Sequence, residues 1–432
     1  MNTTIVALST ARGRSAIAVV RMSGDESINI AKKFFKPFPT QPNMLKVGTL
    51  KTDVFDEHAM CVYFNAPHSY TGENTVEFHC HGGTAVCQAV IEQCIKYGAV
   101  PAQNGEFSKR AFINGKQNLT NAEGIIEMID AETASAAKAG ANLLENKLGK
   151  KVAELQDVLL DLSSSCEAAL DYPEEELELP TVATVKTKLE NVRAELKSIL
   201  STATLGKVAK YGIDVAIVGS PNVGKSSLLN ALLGSDRAIV SDIQGTTRDT
   251  LRESVNYKDI KFNFVDTAGI RDTNDIVEKE GVKRAQKAAD NADVVLHVTD
   301  DPQDRSVYPT IRPQIRIYNK SDLFKNKPCC VDSLAVSAKS GNVEIIKETL
   351  YEMFSAGEIE NSDLLITNER HLSCLQSALN QTEAAINDCH NSTLDVVTSA
   401  LKLVWETLGQ ITGSTAQEEI IDRIYSKFCL GK

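Results

Sequence analysis

The amino-acid sequence predicts a multidomain α/β protein: an α+β domain at the N-terminus, then a helical domain split in two by an inserted α/β domain. Three observations carry this expectation. The chain has 432 residues, 42% of them apolar, too many for one hydrophobic core and enough to fill two or three. Its texture changes from mixed to Ala/Leu/Glu/Lys-rich and back again. Between the two helical stretches, strand-like and helix-like segments alternate, which is the pattern of a parallel sheet covered by helices.

Residues 1–118 mix short strand-like runs at 4–8, 16–21 and 75–79 with turn signals at Ser23-Gly24 and Gly82-Gly83, hence the α+β domain. Over 119–211 apolar residues recur at three-to-four spacing, as in Ile125, Ile126, Ile129 and again Leu155, Val158, Leu159, Leu162. That spacing predicts long helices. Asp171-Tyr172-Pro173 interrupts them, the acidic run 174–178 reads as solvated surface, and one further helix is predicted over 182–209. Residues 212–360 form the inserted domain. The helical texture returns over 361–432 with Leu372, Leu375, Leu379 and then Leu401, Val404, Trp405, Leu408. Such an insertion is cheap when the inserted domain has neighbouring termini.

Bulk properties narrow the function classes. Apolar runs stop far short of the roughly 20 residues a membrane-spanning helix needs, so no membrane association is expected. No basic region leads into a long apolar segment at the N-terminus, and the expected compartment is the cytoplasm. Ten cysteines show no Cys-x-x-Cys pair, which suits a reducing environment. Cys80, between His79 and His81 and followed by Cys87 and Cys94, matches no metal-ligand spacing, and alternate strand residues face opposite ways. The net charge of −11 argues against general polyanion coating. Residues 1–120 nevertheless hold 12 Lys/Arg against 9 Asp/Glu, so any RNA contact is expected to be local.

The chemistry is carried by the inserted domain. Gly219-Ser-Pro-Asn-Val-Gly224-Lys225-Ser226 follows a strand-like run at 213–218 and precedes a helical one beginning at Ser227. This is a P-loop in its required context: backbone N–H groups turn inward around phosphate, the helix presents its positive end and Lys225 reaches the outer phosphates. Asn222, Val223, Gly224, Lys225, Ser226 and Ser227 are therefore nucleotide-contact candidates, with Ser226 a Mg²⁺ ligand. Asn319-Lys320-Ser321-Asp322 follows a strand at 315–318, and Asp322 is spaced to accept from the ring N–H and exocyclic amine of guanine. GTP is favoured over ATP. Ser337-Ala338-Lys339 supports the base from the other side.

Asp266-Thr267-Ala268-Gly269 ends another strand, placing Asp266 near a Mg²⁺-bound water and Gly269 near the γ-phosphate. Ser241, Asp242, Ile243, Gln244, Gly245, Thr246 and Thr247 make up the preceding switch, with Thr247 the second hydroxyl ligand of Mg²⁺. Loss of the γ-phosphate would release both loops. In Ras-like GTPases the residue after Asp-x-x-Gly is a water-orienting glutamine, whereas here it is Ile270. An apolar side chain cannot hold water, which leaves Arg271, Asp272, Asp275 and Glu278 as replacements.

The ending Cys429-Leu430-Gly431-Lys432 resembles the Cys-x-Gly-Lys terminus of the MnmE (TrmE) family of tRNA-modifying GTPases. Ser69-Tyr70-Thr71-Gly72-Glu73, His81-Gly82-Gly83 and Gly105-Glu-Phe-Ser-Lys-Arg-Ala-Phe112 resemble family segments in the same order, so the likeness runs from Thr4 to Lys432. It departs at Leu430 and at Asn222-Val223, both times keeping chemical character. The resemblance implies a tetrahydrofolate-binding-like N-domain that also dimerises, with Arg21, Glu77, Lys116 and Lys432 on 5-formyltetrahydrofolate or a related one-carbon folate. It assigns Glu278 as the catalytic acid residue. It also implies K⁺ beside the phosphates, held by Asn222, Ser241, Ile243 and Thr246, although Asn222 also reads as a loop-stabilising residue. Cys429 reads equally as a catalytic or a structural thiol, since no base is assigned beside it. The implied partner is the flavoprotein MnmG, in a heterotetramer acting on C5 of wobble uridine U34 of certain tRNAs. The competing expectation is a regulatory GTPase of ribosome or complex assembly.

Overall fold

The computed structural model describes residues 3–171, 182–234, 252–266, 285–323, 333–354 and 364–432. The chain divides into two compact units, one of residues 1–126, 143–190 and 380–432, the other of 127–142 and 191–379.

The first unit is built on a seven-stranded sheet. Its strands are β1 (Ile5–Leu8), β2 (Ser15–Ser23), β3 (Phe35–Lys36), β4 (Lys46–Lys51), β5 (Asp56–Phe64), β6 (Thr75–Gly82) and β7 (Val100–Pro101), in the order β3-β4-β5-β6-β2-β1-β7. Neighbours are antiparallel except β1 and β7. Period-two alternation sends Val20 and Met22 of β2 and Phe78 and Cys80 of β6 into a core closed by the helices Ser27–Phe34 and Thr84–Lys96. Cys80, Cys87 and Cys94 belong to that core, where burial pushes the Cys80 thiol up to about 12 and raises the other two. Arg21 and Glu77, in the intervening positions, pair across β2 and β6. Near them Ile5, Ala7, Ala102 and Phe107 form a smaller cluster with Tyr70 and Leu430 against it.

In the helical part of this unit the helix Lys147–Asp171 packs along Leu394–Thr412. Leu148, Val152, Leu155, Leu159 and Leu162 bury one stripe, Leu401, Val404, Leu408 and Ile411 the facing one. Val158, on the sequence-predicted stripe, is exposed instead, and Trp405 is only partly covered, its carbonyl accepting from Gln156 Nε2 at 2.9 Å. The helix Glu418–Tyr425 packs on Glu106–Ile113 through Phe112, Tyr425 and Phe428.

The second unit contains a six-stranded sheet of β8 (Ile213–Val218), β9 (Arg252–Tyr257), β10 (Ile260–Asp266), β11 (Val294–Thr299), β12 (Gln314–Tyr318) and β13 (Ser333–Ala335). The order is β13-β12-β11-β8-β10-β9, parallel throughout except for the β9–β10 hairpin. Near-continuous apolar runs in β8 and β11 reflect burial on both faces. The single helix predicted over 182–209 is two, Val182–Ser201 and Ala203–Tyr211. Thr202 turns back on the first of them, its N–H and hydroxyl both donating to Ile199 O, and this competition with the helical ladder breaks the helix. The hairpin turn at Lys258-Asp259, with φ of 47° and 62°, aims the Asp259 carboxylate at the start of the helix Ala134–Leu144. It accepts from Ala134 N at 2.8 Å and from Ser135 N and Oγ at 2.6 Å each.

Candidate functional site

In a parallel sheet the loops leaving the carboxyl ends of neighbouring strands gather at one edge. Here β8 runs into the P-loop, β10 ends at Asp266 opposite Ile217, β12 runs into Asn319–Asp322, and β13 leads to Ser337–Lys339.

Asn319 braces this edge. Its side chain, 2% exposed, donates through Nδ2 to Val223 O at 2.9 Å and accepts at Oδ1 from Ala338 N at 3.1 Å. One amide thus joins the P-loop to the Ser337–Lys339 loop. Gly224 lies directly under it with φ 94°, and a Cβ there would come within 2.4 Å of Asn319 Nδ2. The second glycine of the P-loop is therefore required both by its backbone conformation and by this close approach. Lys320 Nζ donates to Asn222 O at 2.8 Å and pairs with Asp300 at 2.7 Å, a second tie between the loops that sequence reasoning missed. Asp300 follows directly on β11, the one signal by which it could have been found.

Lys225 Nζ donates to Gly219 O and Ser220 O at 2.8 Å each, so its ammonium lies inside the loop it belongs to. Gly224 is the N-cap of the helix Lys225–Leu233, and no side chain caps that end. Its backbone donors suit phosphate, and exposed Ser226 suits a phosphate-bound cation. Asp322 accepts from Ser337 Oγ at 2.6 Å, and this hydrogen bond, with Lys339 nearby, holds its carboxyl below the usual range. The group remains an ionised acceptor, as recognition of guanine needs. Of the other nucleotide candidates, Ser241, Asp242, Ile243, Gln244, Gly245, Thr246, Thr247, Thr267, Ala268 and Gly269 lie outside the described residues, as do Arg271, Asp272, Asp275 and Glu278.

The first unit gathers a different set of groups. Arg21 Nε donates to Glu77 Oε1 at 2.7 Å, and its guanidinium lies over the rings of Tyr70 at 5.2 Å and Phe107 at 5.8 Å. Lys432 is partly buried here. Burial first, and then the charge of Arg21, holds its ammonium below the ordinary lysine range. The terminus is fixed by a bridge between Asn104 and Leu430 and by Ser9 Oγ donating to Gly431 O at 3.1 Å. Gly431 has φ 93°, and a Cβ would come within 2.2 Å of Leu8 O, so only glycine fits the final turn. Cys429 is exposed and free, its carbonyl accepting from Lys432 N at 3.3 Å. Lys116 donates to Pro67 O at 3.0 Å, on the loop that leads to Tyr70.

Two of the motifs without an assigned role build this arrangement. Arg110, 2% exposed, pairs with Glu106 at 2.8 Å and Glu73 at 3.1 Å and donates to Thr3 O at 2.8 Å. A buried guanidinium needs that compensation. Glu73 also accepts from Ser23 Oγ, and Tyr70 shares a hydrogen bond with Ser108 at 2.7 Å. Segments 69–73 and 105–112 therefore lock together and present Tyr70 and Phe107 to Arg21. Two cations, a carboxylate and an aromatic face suit an anionic heterocycle.

Comparison with known proteins gives the family. Residues 4–116 match the model of the GTP-binding protein TrmE N-terminus, and 119–429 match that of the MnmE helical domain. The tRNA modification GTPase MnmE of Streptococcus thermophilus is 38% identical over 99% of this chain and 98% of its own. Those of Shouchella clausii and Desulforamulus reducens are each 37% identical, over 99% of both chains and 100% of both chains respectively. Among solved structures, the G domain of the T. maritima FeoB iron transporter aligns with 33% of this chain and 98% of that one, at 25% identity and a TM-score of 0.24. With a GTPase edge in one unit, a Cys-x-Gly-Lys terminus in the other and full-length relatives at 37–38% identity, this chain belongs to the MnmE family of tRNA modification GTPases.

Proposed function

We propose that this GTPase works with the flavoprotein MnmG to attach a carboxymethylaminomethyl or aminomethyl group to C5 of the wobble uridine, U34, of certain tRNAs. The observation that carries the reading is the meeting of Arg21, Glu77, Tyr70 and Lys432 at the chain's own C-terminus. A one-carbon folate such as 5-formyltetrahydrofolate, when bound there, supplies the carbon. Arg21 and Lys432 bind its carboxylates, Glu77 accepts from its pterin N–H groups and Tyr70 covers the ring. Lys116 contributes from the loop at Pro67. Cys429, exposed three residues before the partly buried Lys432, would be the thiol that meets the substrate base.

At the nucleotide edge Asp322 selects guanine, Lys225 and the P-loop backbone bind the phosphates, and Ser226 and Thr247 hold Mg²⁺. K⁺ would be held by Asn222, Ser241, Ile243 and Thr246, and Glu278 would orient the attacking water in place of the missing glutamine. The protein acts in the cytoplasm as a homodimer that assembles with MnmG into a heterotetramer. No helix among the described residues is long and apolar enough to cross a membrane.

Titration calorimetry of the full chain with 5-formyltetrahydrofolate tests the folate assignment. Binding is expected, weaker by about tenfold or more in Arg21→Ala, since each charge-assisted hydrogen bond lost is worth roughly 1.5–3 kcal/mol. It should also weaken as pH rises through the lowered Lys432 value, earlier than for an ordinary lysine, because only the ammonium attracts the ligand. A chain that takes up no folate would favour a purely regulatory GTPase.

A further inference from the structure

The loop between β1 and β2 takes no part in these roles. Residues 11–17 are all exposed, yet both ends of the loop are fixed: Ser9 N donates to Val19 O at 2.8 Å, and Val19 N donates to Thr10 Oγ1 at 3.3 Å. Arg12, Gly13 and Arg14 form its tip, and Gly13 has open space around it with φ 132°. Neither arginine has an ion-pair or hydrogen-bond partner among the described residues. The contrast is with Arg21 and Arg110, each held by glutamate.

Charge distribution sharpens the point. In a chain of net charge −11, the first 24 residues carry three arginines and no acidic residue, the first being Asp25. The loop also touches the site described above. Ser9 Oγ donates to Gly431 O, and Arg12 is three residues further on, within about 11 Å of Ser9 along any extended path. Arg12 thus follows closely on the contact that holds the terminus carrying Cys429 and Lys432, and Arg14 leads into Ser15, which pairs with Gly82 of β6.

We infer that Arg12 and Arg14 contact the phosphate backbone of the tRNA substrate and hold it against the C-terminal site. The inference rests on the tRNA-modification reading. A guanidinium fork matches phosphate oxygens, and phosphate contacts fix the register of a nucleic acid without reading its sequence. Base choice falls to the site, and retention to the loop.

The test is binding of an unmodified tRNA transcript carrying U34 to the full-length protein, followed by fluorescence anisotropy across a series of KCl concentrations. Arg12→Ala/Arg14→Ala is expected to weaken binding about tenfold and to flatten the dependence of log K on log salt by roughly 1.4–1.8, the share of two phosphate contacts. Arg12→Lys/Arg14→Lys should keep most of that slope. GTP turnover without tRNA and 5-formyltetrahydrofolate binding should be unchanged in both variants, which reports that the fold is intact. Equal affinity and slope in the alanine variant would overturn the inference alone. Absence of tRNA binding by the unsubstituted protein would overturn both the inference and the reading beneath it. Loss of binding to anionic lipid vesicles with tRNA binding unchanged would reassign the loop to a membrane surface.

Discussion

Asn319 shows what the sequence motif leaves out. Its place in an Asn-Lys-x-Asp run was legible; that its amide joins Val223 to Ala338 was not, because such a brace depends on three separate chain segments. The same is true of Arg21, whose residue type suggested an anion but whose platform of Tyr70 and Phe107 appears only once β2, the 69–73 loop and the helix Glu106–Ile113 are assembled. Asp322 is the residue whose chemistry can be tested most simply. Replacing it with Asn substitutes a donor for one acceptor oxygen, which should lower GTP affinity about tenfold and move preference toward xanthosine triphosphate, whose C2 oxygen accepts from the new amide. Competition binding with GTP, XTP and ATP reads this out. ATP competing equally with GTP in the unsubstituted protein would contradict the assignment.

Secondary structure was most legible where burial is one-sided or complete. β8 and β11 announce themselves as apolar runs, and the helices Lys147–Asp171 and Leu394–Thr412 by their spacing. The break at Thr202 was hidden, since a threonine hydroxyl that bonds backward looks in sequence like any helical threonine. The Asp259 cap was hidden for another reason: capping residues are sought just before a helix, whereas this one arrives from a hairpin turn 125 residues away. The cap ties the β9–β10 hairpin to the helix Ala134–Leu144. Asp259→Ala removes the carboxylate from three donors and should cost about 1–2 kcal/mol locally. Hydrogen exchange of residues 134–144 should then speed up several-fold. Unchanged protection there would show that the helix start is held by other means.

For the molecule as a whole, the chain combines a guanine-nucleotide edge in one unit with a cation-rich C-terminal site in the other, and its family modifies tRNA. The division into units was only partly legible, because residues 127–142, 191–211 and 364–379 look helical in sequence yet group with the six-stranded sheet. Amphipathic spacing says that a helix has an apolar face, not which core receives it. The central claim, that both sites serve one modification of U34, is tested most directly by nucleoside analysis of total tRNA from cells lacking the protein. Complementation by the intact gene is compared with complementation by Arg21→Ala and by Lys225→Ala. The account predicts loss of the C5-modified wobble uridine in the null cells, full recovery with the intact gene and failure of both variants to restore it. An unchanged level of modified U34 in cells lacking the protein would contradict it.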